Sequence, residues 1–254
     1  MAENLDERSV LGRALRILYA FGIDDQAVGL SELARRTDLP KATVHRICAD
    51  LVAARLLTSS PAGYRLGRGL FELGMRAAAE RTLLELAMPF MQDLFTRTGE
   101  TVHLGVLDGD EVVYVGKVGG HRAARAPSRI GGRMPLHCTG IGKALLAYSD
   151  RATVDRILAG PLVRRTPRTL VVPGLLHKQL NQVRETGVAY EYEESAIGVV
   201  CVAAPILSAD DRPLAALSIT GPATRFQPEK HAASTRAAAA GVASILARRQ
   251  TANG

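Results

Sequence analysis

At 254 residues the chain is long for one compact core and comfortable for two, since domains usually run roughly 100 to 150 residues. Its 47% hydrophobic and 22% charged residues exclude a disordered chain, and no apolar run approaches the roughly 20 residues of a membrane span. The net charge of +7 permits a nucleic-acid partner without requiring one, while Cys48, Cys138 and Cys201, widely spaced and without a C-x-x-C pair, argue against a disulfide framework or a zinc knuckle.

The start, MAENLDERSV, is too acidic and polar for a signal peptide, so a cytoplasmic protein with reduced thiols is expected. From Val10 to Phe21 apolar residues recur at helical spacing, which predicts one amphipathic helix. A short second helix is expected from an N-cap at Ser31 to about Thr37, with Leu33 and Ala34 on its inner face. Asp38-Leu39-Pro40 then reads as a turn into a third helix. There Val44, Ile47, Cys48, Leu51 and Val52 form one buried stripe, so Ala42, Arg46 and Ala49 point away from the core.

Lys41, Thr43 and His45 flank that outward face near the helix N-terminus, the end that enters the major groove in helix-turn-helix proteins. Leu56-Leu57-Thr58 and Tyr64-Arg65-Leu66 read as two strands joined by Ser59 to Gly63, a hairpin placed as a wing. Positive charge gathers over the same region: residues 35–68 carry seven basic residues (Arg35, Arg36, Lys41, Arg46, Arg55, Arg65, Arg68) against Asp38 and Asp50. A winged helix-turn-helix over residues 1–67 is the expectation, with Ser31, Lys41, Ala42, Thr43, His45, Arg46 and Arg65 toward double-stranded DNA.

From Gly67 to about Thr98 the pattern is helical, Ala-rich from Met75 to Ala79 and with a break expected at Pro89; it reads as a linker helix over 68–80 and then the first helix of a second domain, 81–254. Thr101–Leu107 and Glu111–Val118 are expected strands around Asp108-Gly109-Asp110, a strong hairpin signal. Thr139–Tyr148 and Leu175–Thr186 read as helices, and Val188–Glu193, Val199–Leu207 and Pro213–Thr220 as strands. Pro228–Arg249 reads as a closing helix, which makes the second domain α+β with an antiparallel sheet. Within the last strand Ser218 and Thr220 share one face by the period of two.

The segments LSELARRTDLPKATVHRI at 30–47, YRLGRGLFELG at 64–74, RMPLHCTGIGKALLA at 133–147, VVCVAAPIL from 199 and AALSITGP up to 222 together resemble the isocitrate-lyase-regulator (IclR) family of bacterial transcription factors. The resemblance implies a two-domain α+β chain: a winged helix, a linker helix and a GAF-like effector-binding domain, assembled as a dimer or a dimer of dimers. It also implies an effector pocket. Glu191 stands at an acid position of that pocket, Cys201 at its cysteine, and Ser218 and Thr220 at two hydroxyl positions. Apolar walls would come from Ala126, Met134, Gly140 and Val199. Glu191 is one methylene longer than the aspartate of some members.

Other chemistry fits less well. Gly140-Ile141-Gly142-Lys143 lacks the glycine at position 137 and the hydroxyl at 144 that a phosphate loop needs, so its small residues are read as letting a helix N-terminus approach a ligand. His103, His121 and His137 have no metal-ligand spacing, and no metal or cofactor is expected. Cys138 beside His137 suggests a nucleophile and its base, but neighbours on a strand point to opposite faces, so a thiol enzyme is set aside. Arg122, Arg125, Arg129 and Arg133, and a second cluster of Arg164, Arg165 and Arg168, read as solvated loops. An architectural DNA-coating protein would not need a sensory domain. Sequence-specific regulation by a small carboxylated effector, from a palindromic operator and with no membrane partner, is the reading that remains.

Overall fold

The computed structural model describes residues 6, 8–120 and 126–253, with the backbone alone at 78, 80 and 250–253. Contacts divide the chain into two compact units, Met1–Arg81 and Thr82–Gly254. None of the helices among the described residues is long and apolar enough to cross a membrane.

The first unit packs helices α1 (Val10–Tyr19), α2 (Leu30–Thr37) and α3 (Lys41–Ala53) around Ile17, Leu33, Val44, Ile47, Cys48 and Leu51. Helix α2 begins two residues earlier than an N-cap at Ser31 would start it. Gly29 is its N-cap, because the Leu33 N–H closes the first turn on the Gly29 carbonyl at 3.0 Å, and Ser31 lies inside the helix with its side chain exposed. A glycine N-cap costs only a few tenths of a kcal/mol against a serine, so propensity does not resist the shift. Asp38 ends α2 in the left-handed region, φ 51°, and Pro40 caps α3.

Helix α3 closes with the Leu56 N–H on the Leu51 carbonyl at 2.8 Å and Arg55 at φ 61°, a Schellman-type end that consumes Leu56 and starts the wing at Leu57. Strands β1 (Leu57–Ser60) and β2 (Gly63–Leu66) pair antiparallel across a two-residue loop, shorter than the sequence suggests. The hairpin is fastened to the segment before α2 by two bonds between Val28 and Tyr64, 2.8 and 2.9 Å. Gly63 is required there: its φ is +121° and a Cβ would stand 2.5 Å from the Val28 carbonyl oxygen.

After α4 (Arg68–Gly74) the chain breaks at Met75–Ala77, and α5 (Ala78–Thr98) then runs unbroken through Pro89, contrary to the expected break. Pro89 is exposed, so its ring meets no packed neighbour there and the helix tolerates it.

The second unit is built on a six-stranded, wholly antiparallel sheet in the order β5-β4-β3-β8-β7-β6. Its strands are β3 (Thr101–Asp108), β4 (Glu111–Val118), β5 (Arg133–Pro135), β6 (Ala189–Tyr192), β7 (Val199–Leu207) and β8 (Pro213–Pro222). Side chains alternate across it. One face, with Val102, Leu104, Val202, Leu217 and Ile219, packs on α5 and the closing helix α9 (Ala232–Asn253). The other, with Tyr114, Ala203 and Ala216, packs under α6 (Gly140–Ala147), α7 (Arg151–Ala159) and α8 (Pro173–Thr186). Helix α7 is missed by the sequence reading, although Asp150 caps it through the Thr153 N–H at 2.7 Å. The closing segment opens as a 3-10 turn, Pro228–His231, before α9.

Candidate DNA-binding surface and effector pocket

In α3 Val44, Ile47, Cys48 and Leu51 of the stripe are buried and Val52 is half-buried, while the opposite side is open: Lys41, Ala42, His45, Arg46 and Ala49 are exposed, and Thr43 is half-buried. Arg65 is exposed on the wing. Of the seven basic residues clustered in the sequence, Arg35 and Arg36 are taken up by acids: Arg35 pairs with Glu32 at 2.7 Å, and Arg36 pairs with Glu32 at 2.8 Å and with Asp25. Lys41, Arg46 and Arg65 have no acidic partner within ion-pair distance among the described residues, so their charge faces outward undiminished. Ser31 sits at the first turn of α2, where free N–H groups favour a phosphate.

The second unit holds a small cavity, about 20 Å³, on the α6 side of its sheet. All eight residues expected at an effector pocket line it: Ala126, Met134, Gly140, Glu191, Val199, Cys201, Ser218 and Thr220. Strand register explains the convergence. Cys201 stands opposite Glu191 on β6 and opposite Thr220 on β8, and β8 in turn sets Ser218 opposite His103 on β3. These positions alternate along their strands, so all five side chains share one face.

Sequence reasoning missed His103, Tyr114, Ser128 and Ser195, which also line the cavity. The His103 Nδ1 lies 3.4 Å from the Thr220 hydroxyl, its Nε2 lies 2.8 Å from the Ser128 hydroxyl, and its ring meets Tyr114 edge-on at 5.3 Å. Burial, then the nearby Lys117 ammonium, holds His103 down to about 3, so it is neutral and offers one donor and one acceptor. Lys117 also donates to the Ser128 carbonyl at 2.9 Å, which fastens this loop to the sheet beside the cavity. Ser195 donates its backbone N–H to Glu191 at 3.0 Å and hydrogen-bonds the same oxygen through its hydroxyl. Burial nonetheless dominates and raises the Glu191 carboxyl to about 7.

Gly140 and Ile141 bring the start of α6 to the cavity. A Cβ on Gly140 would stand 2.9 Å from the Cys201 Sγ, so only glycine lets the helix approach β7 this closely. Thr139 caps the helix by accepting from the Gly142 N–H at 3.1 Å. The first turn of α6, whose N–H groups no intrahelical carbonyl can reach, thus borders the cavity through Gly140 and Ile141. No lysine or arginine lines it among the described residues.

His137 and Cys138 lie in the turn after β5 rather than on a strand, which corrects the sequence reading of their geometry. His137 bonds the Val163 carbonyl at 3.1 Å. Burial, then Glu191, pushes both Cys138 and Cys201 up to about 12, the reverse of what a thiolate nucleophile requires. Of the arginine clusters, Arg133 pairs with Asp108 and, at 3.5 Å, with Glu111, and Arg168 pairs with Glu193 at 2.8 Å. Arg129, Arg164 and Arg165 are exposed, while His121, Arg122 and Arg125 lie outside the described residues.

The family profile described as the IclR helix-turn-helix domain matches residues 10–61, and that of the bacterial transcriptional regulator IclR C-terminal matches residues 75–246. The chain is 37% identical to the transcriptional regulator XynR of Escherichia coli over 82% of this chain and 84% of that protein. It is 33% identical to the transcriptional repressor AllR of Salmonella typhimurium over 87% and 82%. Among solved structures, an IclR homologue from Microbacterium hydrocarbonoxydans complexed with 4-hydroxybenzoate superimposes with a TM-score of 0.88 at 30% identity, covering 94% of this chain and 99% of that one. The IclR protein of Thermotoga maritima gives 0.78 at 29% identity, covering 93% and 98%.

Proposed function

Because this chain belongs to the IclR family of bacterial transcriptional regulators, we propose that it is a cytoplasmic repressor whose hold on a palindromic operator is set by a small carboxylated effector. The carrying observation is the cavity on the α6 side of the sheet. It joins the hydroxyl residues Ser218 and Thr220, the first turn of α6 at Gly140 and Ile141 and a buried acid, with Met134 and Val199 as apolar cover. Those donors suit a carboxylate without a cation. The structural neighbour carrying 4-hydroxybenzoate supports a compact aromatic acid as one member of the class. Repression is supported by the likeness to the repressor AllR. The high thiol values of Cys138 and Cys201 weigh against a thiol enzyme.

In this reading residues 1–67 bind DNA, 68–80 form the linker and 81–254 sense the effector. Arg46 reads a base edge; Ser31, Lys41, Thr43 and Arg65 hold phosphates, while Ala42 and His45 line the contact. Effector binding shifts the population between operator-binding and released states. The double substitution Ser218→Ala with Thr220→Ala is expected to abolish the thermal shift given by small carboxylic acids, 4-hydroxybenzoate included, and the release of operator, with effector-free DNA affinity unchanged. An undiminished response in that variant would move the sensor elsewhere.

A further inference from the structure

A second recess opens at the free edge of the sheet. It is a cleft of about 310 Å³ bounded by Lys143, Gln179 and Gln182 on one side and by Tyr190, Tyr192 and Glu229 on the other, and it shares no lining residue with the effector pocket. Strand β6 ends the sheet among the described residues. The Glu193 N–H donates to the Val199 carbonyl at 2.8 Å, which makes 193 and 199 a hydrogen-bonded pair. By the antiparallel alternation Glu191 and Ala189 also bond inward to β7, and the backbone N–H and C=O groups of Tyr190 and Tyr192 point to the open edge.

At the cleft lies the Lys143 side chain, 1% exposed. Its ammonium donates to Glu194 at 2.6 Å and to Gln179 at 2.9 Å, which uses two of its three hydrogens. The third has no partner among the described residues, and neither does the buried Oε2 of Glu194. The pair is electrically closed and incomplete in its hydrogen bonds. An anion therefore gains little here: the one buried cation is already neutralised, and Glu229, bonded to the Tyr192 hydroxyl, adds negative charge to the rim. A ligand must instead be neutral and able to donate and accept at adjacent atoms. The Tyr190 and Tyr192 rings, 6.1 Å apart and 25° from parallel, add an apolar wall.

We propose that this edge cleft is a second small-molecule site, for a neutral polyhydroxylated compound of monosaccharide size. Each hydroxyl both donates and accepts, so a ring of them matches the alternating Tyr190 and Tyr192 backbone groups and the spare Lys143 hydrogen, while its C–H face lies on tyrosine.

The test is saturation-transfer NMR on the full chain with D-glucose and myo-inositol, and with an acetyl-tetraalanine amide as a strand-like control. Transfer to at least one of the two polyols is expected. It should persist in the double variant Ser218→Ala with Thr220→Ala, and be lost in Gln182→Trp, which fills the cleft from an exposed position. Tyr192→Ala removes part of the wall and should weaken transfer; it carries the decision if Gln182→Trp does not fold. No transfer to either polyol, or transfer untouched by the cleft variants, overturns the site. Transfer to the peptide alone overturns it in favour of strand addition at β6. Loss of polyol transfer in the Ser218/Thr220 variant would place the polyols in the effector pocket and overturn a separate site.

Discussion

Glu191 is the residue whose surroundings most alter its chemistry. In an unfolded chain its carboxyl ionises near 4.5, and burial raises it to about 7 in the fold. Between those values the folded chain keeps a proton that the unfolded chain has released, so stability falls as pH rises through the window. The contribution is complete below about 4.5 and gone above about 7. Glu191→Gln keeps an acceptor for the Ser195 N–H and cannot ionise. Its melting temperature relative to the parent is therefore expected to rise between about pH 5 and about pH 8, by the equivalent of at most ~3 kcal/mol. Parallel melting curves across that range would show that Glu191 is ionised throughout. The identity of this acid was legible through the family resemblance; its bond to Ser195, four residues on, was not, because only the turn after β6 folds that hydroxyl back.

At the scale of the element, α3 separates folding from recognition. Its stripe is core and its opposite side is solvent, so substitutions there report on DNA alone. Arg46→Ala is expected to leave the melting temperature nearly unchanged, since alanine favours helix, and to cost about 1 to 3 kcal/mol of operator affinity. A competition assay on operator and random DNA checks it: equal loss on both would make Arg46 a phosphate contact. Periodicity found this helix because 3.6 residues per turn is a local rule. The same reasoning misplaced the break at Pro89, an exposed position where the helix tolerates the ring, and the start of α2, which follows directly on the bridge between Val28 and Tyr64.

For the whole molecule, one recognition helix reads only a few base pairs, so useful affinity calls for two copies about a two-fold axis. Within the first unit Val10, Leu11 and Tyr19 of α1 and Phe71 and Leu73 of α4 are exposed, apolar surface open to a second copy. Sedimentation at micromolar concentration is expected to give at least twice the chain mass of 27.1 kDa, and Leu11→Glu with Phe71→Glu to reduce it to one chain. A parent protein that sediments as one chain would remove the palindromic operator from the proposal.

The sequence by itself determined what depends on neighbours along the chain: the helices of the first unit, the hairpin at Gly109, the outward position of Arg46 and the shared face of Ser218 and Thr220. Each follows from a period of 3.6 or 2 or from a turn residue. What only the tertiary structure decided depends on register between distant strands. His103 meets Thr220 because β3 pairs with β8, and Tyr114 reaches the same cavity because β4 pairs with β3. The Lys143–Glu194 pair and the open edge of β6 likewise exist only once α6, α8 and the sheet have packed, since a hydrogen bond between residues far apart in sequence leaves no periodic trace.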